Sequence, residues 1–310
     1  MTTFNSPLEA FLYWEENKPD LEFLNLNIEG HLETLTYKQS GQQIRKIASY
    51  LLSLDLKPKS NIAILSKNCS HWVMADLAIM MSGHVSIPIY PSLNDASIRP
   101  ILEHSDCKIA FIGKLDDFES QRKAFTDIQL ISVEKYGISE KETWEYILNR
   151  FDILNEPILL DTKELITIIY TSGTTGNPKG VMHSIENFTN AFYNIKNTLP
   201  LGEHPNFFSY LPLSHIAERI GLEIHCLFYG GTLTFAESLD TFAVNLEACQ
   251  PDLFFGVPRI YAKFKEKILE SISQKKLNFI LSIPFLNQFF KRKLRSKLGL
   301  GNTNYIFSGA

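Results

Sequence analysis

An α/β fold made of two packed sheet-and-helix subdomains is predicted for this chain by three observations. Short apolar runs alternate with amphipathic helical segments along most of its length. The strand-like runs are apolar throughout, the pattern of strands covered on both faces of a largely parallel sheet. The chain also has 310 residues, more than a single core usually organises.

The elements follow in order. Ile44, Ile47, Leu51 and Leu54 recur at helical spacing and predict an amphipathic helix over 41–55. Asn61–Leu65 (NIAIL) reads as a short buried strand, 71–81 as a second, apolar helix, and Val85–Ile89 as a strand ending at Tyr90-Pro91. Helix is expected again over 98–104, and strands over 108–112 and 130–133. Residues 165–170 (LITIIY) are the most strand-like in the chain, and the densest Gly/Thr/Ser stretch follows them. Ser184 is the expected N-cap of a helix running to about Asn197. Beyond Pro200 the pattern resumes, with strands at 207–211, 231–235, 253–256 and 304–307 and helices at 216–227 and 241–249. There is no internal repeat.

Composition narrows the function. Hydrophobic residues make up 45% and charged residues 21%, an ordinary globular balance. A net charge of −4 argues against a nucleic-acid partner. Cys69, Cys107, Cys226 and Cys249 are scattered and form no C-x-x-C pair, which argues against a zinc knuckle or a disulfide scaffold. A reduced, cytoplasmic protein is expected. The first twenty residues carry acidic side chains and Pro19 where an export signal needs an apolar stretch. No run of 18 apolar residues occurs, so no membrane span is predicted.

The chemistry is concentrated in Tyr170-Thr171-Ser172-Gly173-Thr174-Thr175-Gly176-Asn177-Pro178-Lys179-Gly180. Gly173, Gly176 and Gly180 are expected to let the backbone approach an anion and turn its N–H groups inward. Thr171, Ser172, Thr174 and Thr175 add hydroxyl donors, and Lys179 adds a positive charge suited to phosphate oxygens. The stretch has no carboxylate, so it suits a polyphosphate. It is not a Walker A loop, because Pro178 stands five residues after Gly173 where that pattern needs Gly-Lys.

This string resembles the signature of the AMP-binding, adenylate-forming superfamily, which includes acyl-CoA synthetases, luciferase and the adenylation domains of peptide synthetases. Leu35-Thr36-Tyr37 resembles that family's opening motif, and 83–91 (GHVSIPIYP) its second core motif. Leu211-Pro212-Leu213-Ser214-His215-Ile216-Ala217-Glu218-Arg219 resembles its fourth, in the form seen in long-chain acyl-CoA synthetases, and 254–261 (FFGVPRIY) resembles the segment after it. The resemblance runs from about Leu35 to Ala310.

The resemblance implies an enzyme that joins ATP to a fatty acid as acyl-AMP and then passes the acyl group to coenzyme A. It implies the large domain of that fold, with 59–180 in one subdomain, 1–58 plus 190–310 in the other, and the small C-terminal domain absent. It also implies roles for particular residues. Thr171, Ser172, Gly173, Thr174, Thr175, Gly176 and Lys179 would hold the phosphates, Thr171 would contribute to a Mg²⁺ site, and Lys179 and His215 would act on the reacting groups. Ile216 would wall the adenylate, and Ser308-Gly309-Ala310 would begin the adenine-binding loop. The family's aromatic gate is not assigned, because Glu218 and Arg219 stand in its region, and Arg259 is expected to be a structural pairing residue. A Tyr-Gly-x-Thr-Glu segment, a ribose-binding Asp and a catalytic C-terminal Lys are not found in the sequence. The 310 residues alone are therefore expected neither to bind ATP tightly nor to turn over.

Two alternatives stand beside this reading. One is another adenylating enzyme, such as a fatty acyl-AMP ligase or a peptide-synthetase adenylation domain. The other is a non-catalytic binding protein. Separately, 277–290 (LNFILSIPFLNQFF) lies between Lys275-Lys276 and Lys291-Arg292-Lys293. A peripheral membrane contact through 263–297 is one expectation for this basic, apolar segment; a pair of helices with solvated basic faces is the other.

Overall fold

The computed structural model describes residues 2–172 and 178–309. The chain begins α1 (Pro7–Asn17), β1 (Glu22–Ile28), β2 (His31–Thr36), α2 (Tyr37–Ser53), β3 (Asn61–Leu65), α3 (Ser70–Met81) and β4 (Val85–Ile89). It continues α4 (Asp95–Ser105), β5 (Ile109–Ile112), α5 (Phe118–Gln121), β6 (Gln129–Ser132), β7 (Glu142–Thr143) and α6 (Trp144–Arg150). Then come β8 (Leu165–Ser172), β9 (Pro178–Ser184), α7 (Ile185–Thr198), β10 (Asn206–Ser209), α8 (Ile216–Glu218) and α9 (His225–Tyr229). The last elements are β11 (Thr232–Phe235), α10 (Phe242–Cys249), β12 (Leu253–Gly256), α11 (Pro258–Ser271), α12 (Gln274–Ser282), α13 (Pro284–Lys297) and β13 (Tyr305–Ser308).

Two sheets result. One has the order β13-β12-β10-β11-β1-β2 and the other β7-β6-β5-β3-β4-β8-β9. Among the described residues, neighbouring strands run parallel except in the hairpins β1–β2 and β8–β9. Side-chain alternation along each strand sorts the apolar residues into layers. Ile62 and Ile64 of β3 enter a large core, while Ala63 and Leu65 enter a separate one with Ile98 and Leu102 of α4. In the other sheet Phe207 and Leu253 join the large core, and Phe208 and Phe254 turn outward onto Phe242 and Leu246 of α10. The large core thus belongs to both sheets, with α1, α2, α3 and α7 between them. The molecule is a stack of helix, sheet, helix, sheet and helix, the α/β class with two sheets that the alternation predicts.

The Leu35-Thr36-Tyr37 motif is a structural joint. Thr36 caps α2 and forms a reciprocal capping box with Gln39. Tyr37 is buried, stacks on Phe23 at 4.3 Å, and donates its hydroxyl to the Gly231 carbonyl at 3.1 Å. Ser184 caps α7 as expected, paired with Asn187.

Two expectations need correction. Residues 178–180, read as part of a loop, form the start of β9 and pair with β8. The single helix expected over 216–227 is interrupted by a π-helical turn, Arg219–Ile224, between α8 and α9. Such turns are uncommon and frequently mark functional sites. The sequence pattern does not predict α1, β1, β2, α5, β7 or α6.

Candidate active site

The carboxyl ends of both sheets meet. Asn68, three residues beyond β3, donates through Nδ2 to Ser209 Oγ at 2.8 Å and to the Leu211 carbonyl at 2.5 Å, and its Oδ1 accepts the Leu213 N–H at 3.0 Å. Lys114, two residues beyond β5, donates to the Glu237 carbonyl beyond β11 at 2.7 Å. The Tyr90 ring, just past β4, stands edge-on to His215 at 6.5 Å. These three links bring together the strand ends where open α/β sheets bind ligands.

The hairpin β8–β9 lies at the edge of this junction. Thr171 and Lys179 are direct cross-strand partners, and both are exposed. Directly opposed side chains in an antiparallel pair lie about 5 Å apart at Cβ, so a hydroxyl and an ammonium group are presented together. Lys179 forms no ion pair among the described residues. Thr171, Pro178 and Tyr170 line a groove of about 570 Å³ with Tyr90 and Ser97. Tyr90 is therefore common to the groove and to the His215 contact. Gly173, Thr174, Thr175 and Gly176 lie outside the described residues, as does Ala310, and Ser172 is described through its backbone pairing with Pro178.

Gly180 is also tightly packed within the hairpin. A Cβ there would stand 2.7 Å from Ile168 Cγ2 and 3.2 Å from the Tyr170 ring. Packing inside the hairpin is thus one reason for a glycine at this position.

His215 is exposed and begins α8, where its Nδ1 accepts the Ala217 N–H at 3.1 Å. In the neutral ring this leaves the proton on Nε2, a donor aimed away from the backbone. Ile216 packs half-buried against the large core. Ser308, exposed at the end of β13, pairs in register with Gly256, and Gly309 lies over the Phe255 ring. Two strand spacings separate β13 from β10, about 10 Å, so both lie on the edge that carries the His215 loop. Arg259, expected to be a structural pairing residue, is exposed and forms no ion pair among the described residues.

The larger cavity, about 780 Å³, opens at the β6–β7 edge, and its Arg122 is already committed to Glu140 at 2.9 and 2.7 Å. It has no strand ends from the second sheet and no part in this site.

Sequence comparison decides the family: residues 11–298 match the AMP-binding enzyme family. The chain belongs to that family. It is 29% identical over 264 residues to fatty acyl-CoA synthetase B of Dictyostelium discoideum, covering 79% of this chain and 39% of that protein. It is 26% identical to long chain acyl-CoA synthetase 2 of Arabidopsis thaliana, covering all of this chain and 53% of that one. The chain spans about half the length of the curated relatives it matches, or less. Among solved structures, the adenylation domain of a Mycobacterium chelonae carboxylate reductase superposes with a TM-score of 0.79 at 19% identity, over 98% of this chain and 54% of that one. The fatty acyl-adenylate ligase of L. pneumophila, solved with acyl adenylate and pyrophosphate, superposes at 0.72 with 19% identity, over 99% and 50%.

Behind the site of this AMP-binding enzyme lies a buried charge network that the sequence reading left unassigned. Glu218 is fully buried and accepts from Ser209 Oγ at 2.8 Å and from the Tyr210 N–H at 3.0 Å. Burial pushes its carboxyl up to about 8, against the opposing pull of those hydrogen bonds. Because Ser209 also accepts from Asn68, an Asn68–Ser209–Glu218 chain grips the loop carrying His215 from both ends. Next to it, Arg219 is wholly buried and bonds Asp76 at 2.5 Å, Glu223 at 3.0 Å and Thr167 at 3.0 Å. Its guanidinium lies between Trp72 and Phe188, 5.2 and 5.3 Å from the ring centres. Burial raises both carboxyls and works to lower the guanidinium. The opposite charges favour the ionised forms of all three. Arg219 and Glu223, four residues apart, are both buried within the π-helical turn.

Proposed function

We propose that this AMP-binding enzyme activates a long-chain fatty acid with ATP and transfers the acyl group to coenzyme A. The observation that carries the reading is the opposition of Thr171 and Lys179 across the β8–β9 hairpin, beside the groove shared with Tyr90. In the activation step a carboxylate oxygen attacks the α-phosphorus of ATP, a P–O bond forms, and pyrophosphate leaves. Both reactants are anionic, so fixed donors and cations near the phosphates lower the barrier. Lys179 supplies the cation for the β- and γ-phosphates and Thr171 a hydroxyl. No carboxylate lies in the described part of the hairpin to oppose them. The His215 Nε2–H would donate to an acyl or phosphate oxygen. In the transfer step the coenzyme A thiol displaces AMP: the C–S bond forms as the C–O bond to phosphate breaks.

Mg²⁺ fits this donor set as a companion of the triphosphate. The Thr171 hydroxyl would be the ligand this chain contributes to it. The bound ion neutralises phosphate charge. The long-chain assignment is supported by the His215–Arg219 stretch and by the named acyl-CoA synthetase relatives. The test is pyrophosphate release by the full-length gene product, with fatty acids against amino acids and with or without coenzyme A. Fatty-acid-dependent release with thioester formation supports the reading. Amino-acid-dependent release, or acyl-AMP that never passes to coenzyme A, overturns it.

A further inference from the structure

We propose that the hairpin of α12 and α13 docks on an anionic lipid bilayer, its aromatic tip entering the acyl–headgroup boundary and its basic collar meeting the lipid phosphates. The inference rests on this surface and not on the nucleotide reading. The two helices pack against each other and are joined at Ile283. Asn287 Nδ2 holds the bend by donating to the Leu281 carbonyl at 2.8 Å. None of α11, α12 and α13 has a buried residue.

Three phenylalanines crowd the bend. Phe279 lies one turn before it, Phe285 is the second residue of α13, and Phe289 follows one turn later on the same face. They are 66%, 89% and 70% exposed. Clustered apolar exposure on this scale, with polar groups around it, marks an interaction surface. The basic residues stand just behind. Lys291, Arg292 and Lys293 lie roughly 9–12 Å beyond Phe285 along α13 at the helical rise of about 1.5 Å per residue. Their side chains lean toward the helix N-terminus, which here is the tip. Interfacial helices bury their apolar side about 5–10 Å deep, so when the tip is immersed the collar reaches the phosphate level. Between α11 and α13 a groove of about 620 Å³ is lined by Lys267, Lys276, Lys293 and Lys297, with one carboxylate, Glu247, and with apolar residues that include Phe289, Phe290 and Leu294. That arrangement fits an anionic headgroup above an acyl chain.

Charge selects the occupant. Residues 263–297 hold ten Lys and Arg against Glu266 and Glu270, in a chain of net charge −4. A second copy would oppose this face with the same positive field. A protein segment would have to bring many matching carboxylates. An anionic bilayer offers negative charge and an apolar interior together.

Flotation of the protein with phosphatidylcholine vesicles, and with vesicles of phosphatidylcholine and phosphatidylglycerol in equal parts, tests this without ATP or fatty acid. Flotation with the anionic vesicles alone, weakening as salt rises, is expected. The triple variant Lys291→Glu, Arg292→Glu, Lys293→Glu should lose vesicle affinity by about 100-fold or more. Phe285→Ser with Phe289→Ser should also lose it, with an unchanged circular dichroism spectrum because both side chains are exposed. Phe285→Trp should shift its emission to the blue only with anionic vesicles. Equal flotation on both vesicle types, no flotation, wild-type binding by the charge-reversed variant, or no blue shift each overturns the proposal. A stable dimer that the Phe285→Ser, Phe289→Ser variant dissociates would show a self-interface instead and also overturn it.

Discussion

Asn68 and Ser209 lie 141 positions apart in the chain, yet they share a 2.8 Å hydrogen bond that fastens the carboxyl edge of one sheet to that of the other. The same Asn68 side chain holds the backbone at Leu211 and Leu213, two residues short of His215. Replacing Asn68 by alanine removes all three bonds and leaves the Leu213 N–H without its acceptor. A loss of about 1–3 kcal/mol in urea-denaturation stability is expected. A lower kcat/KM for pyrophosphate release should accompany it as the His215 loop loosens.

Lys179 is exposed, so its removal should spare the fold and strike the chemistry. Lys179→Ala in the full-length gene product should lower kcat/KM for pyrophosphate release by about 100-fold or more. Stability should stay within about 0.5 kcal/mol of wild type. Activity equal to wild type would remove the phosphate-binding assignment altogether.

Arg219 should behave in the opposite way. Arg219→Leu leaves Asp76 and Glu223 buried without their counter-charge, and each already has one oxygen lacking a partner among the described residues. A cost of about 3–5 kcal/mol is expected. Adding Asp76→Asn and Glu223→Gln to the same variant should recover part of it, because the uncompensated charges disappear. Equilibrium urea unfolding of the single and triple variants checks this.

Glu218 predicts a pH dependence. Its carboxyl is raised to about 8 in the folded state by burial, from an ordinary value of 4.5. The folded chain then holds a proton that the unfolded chain has released. Its stabilising contribution is full below about pH 4.5 and is lost as pH rises through about 8, at up to about 1.4 kcal/mol per unit. His71 acts in the reverse sense: burial lowers it to about 3 from 6.5, so stability falls as pH drops below 6.5. The two oppose each other between pH 4.5 and 6.5, and Glu218 acts without that opposition from 6.5 to 8. Glu218→Gln should therefore flatten the decline in urea midpoint over pH 6.5–8. An unchanged slope would show that Glu218 is ionised in the folded protein.

Much of the architecture was legible because its cause is local. NIAIL, VSIPI and LFFG are strands in the structure because each apolar run is covered on both faces. The Ser184 cap was readable from a single residue before a helical pattern. By contrast, β9 starts with Pro178-Lys179-Gly180, a composition that argues for a loop, and only pairing with β8 makes it a strand. The unpredicted helix α1 did carry a signal, since Ser6 caps it and Pro7 opens it. Glu218 and Arg219 could not be read correctly from neighbours alone. Charged residues default to the surface, and the partner that allows Arg219 inside, Asp76, stands 143 positions away. At the candidate site the residue types were visible. The groove, the Thr171–Lys179 opposition and the Asn68 link needed the third dimension.

Because one apolar core is shared by the inner faces of both sheets, neither layer can swing without tearing hydrocarbon from hydrocarbon, a penalty that close packing makes steep. The walls of the cleft are in that sense a fixed jaw. Within these 310 residues, movement at the carboxyl edge is then left to the loops that leave the strand ends rather than to a hinge between the two sheets.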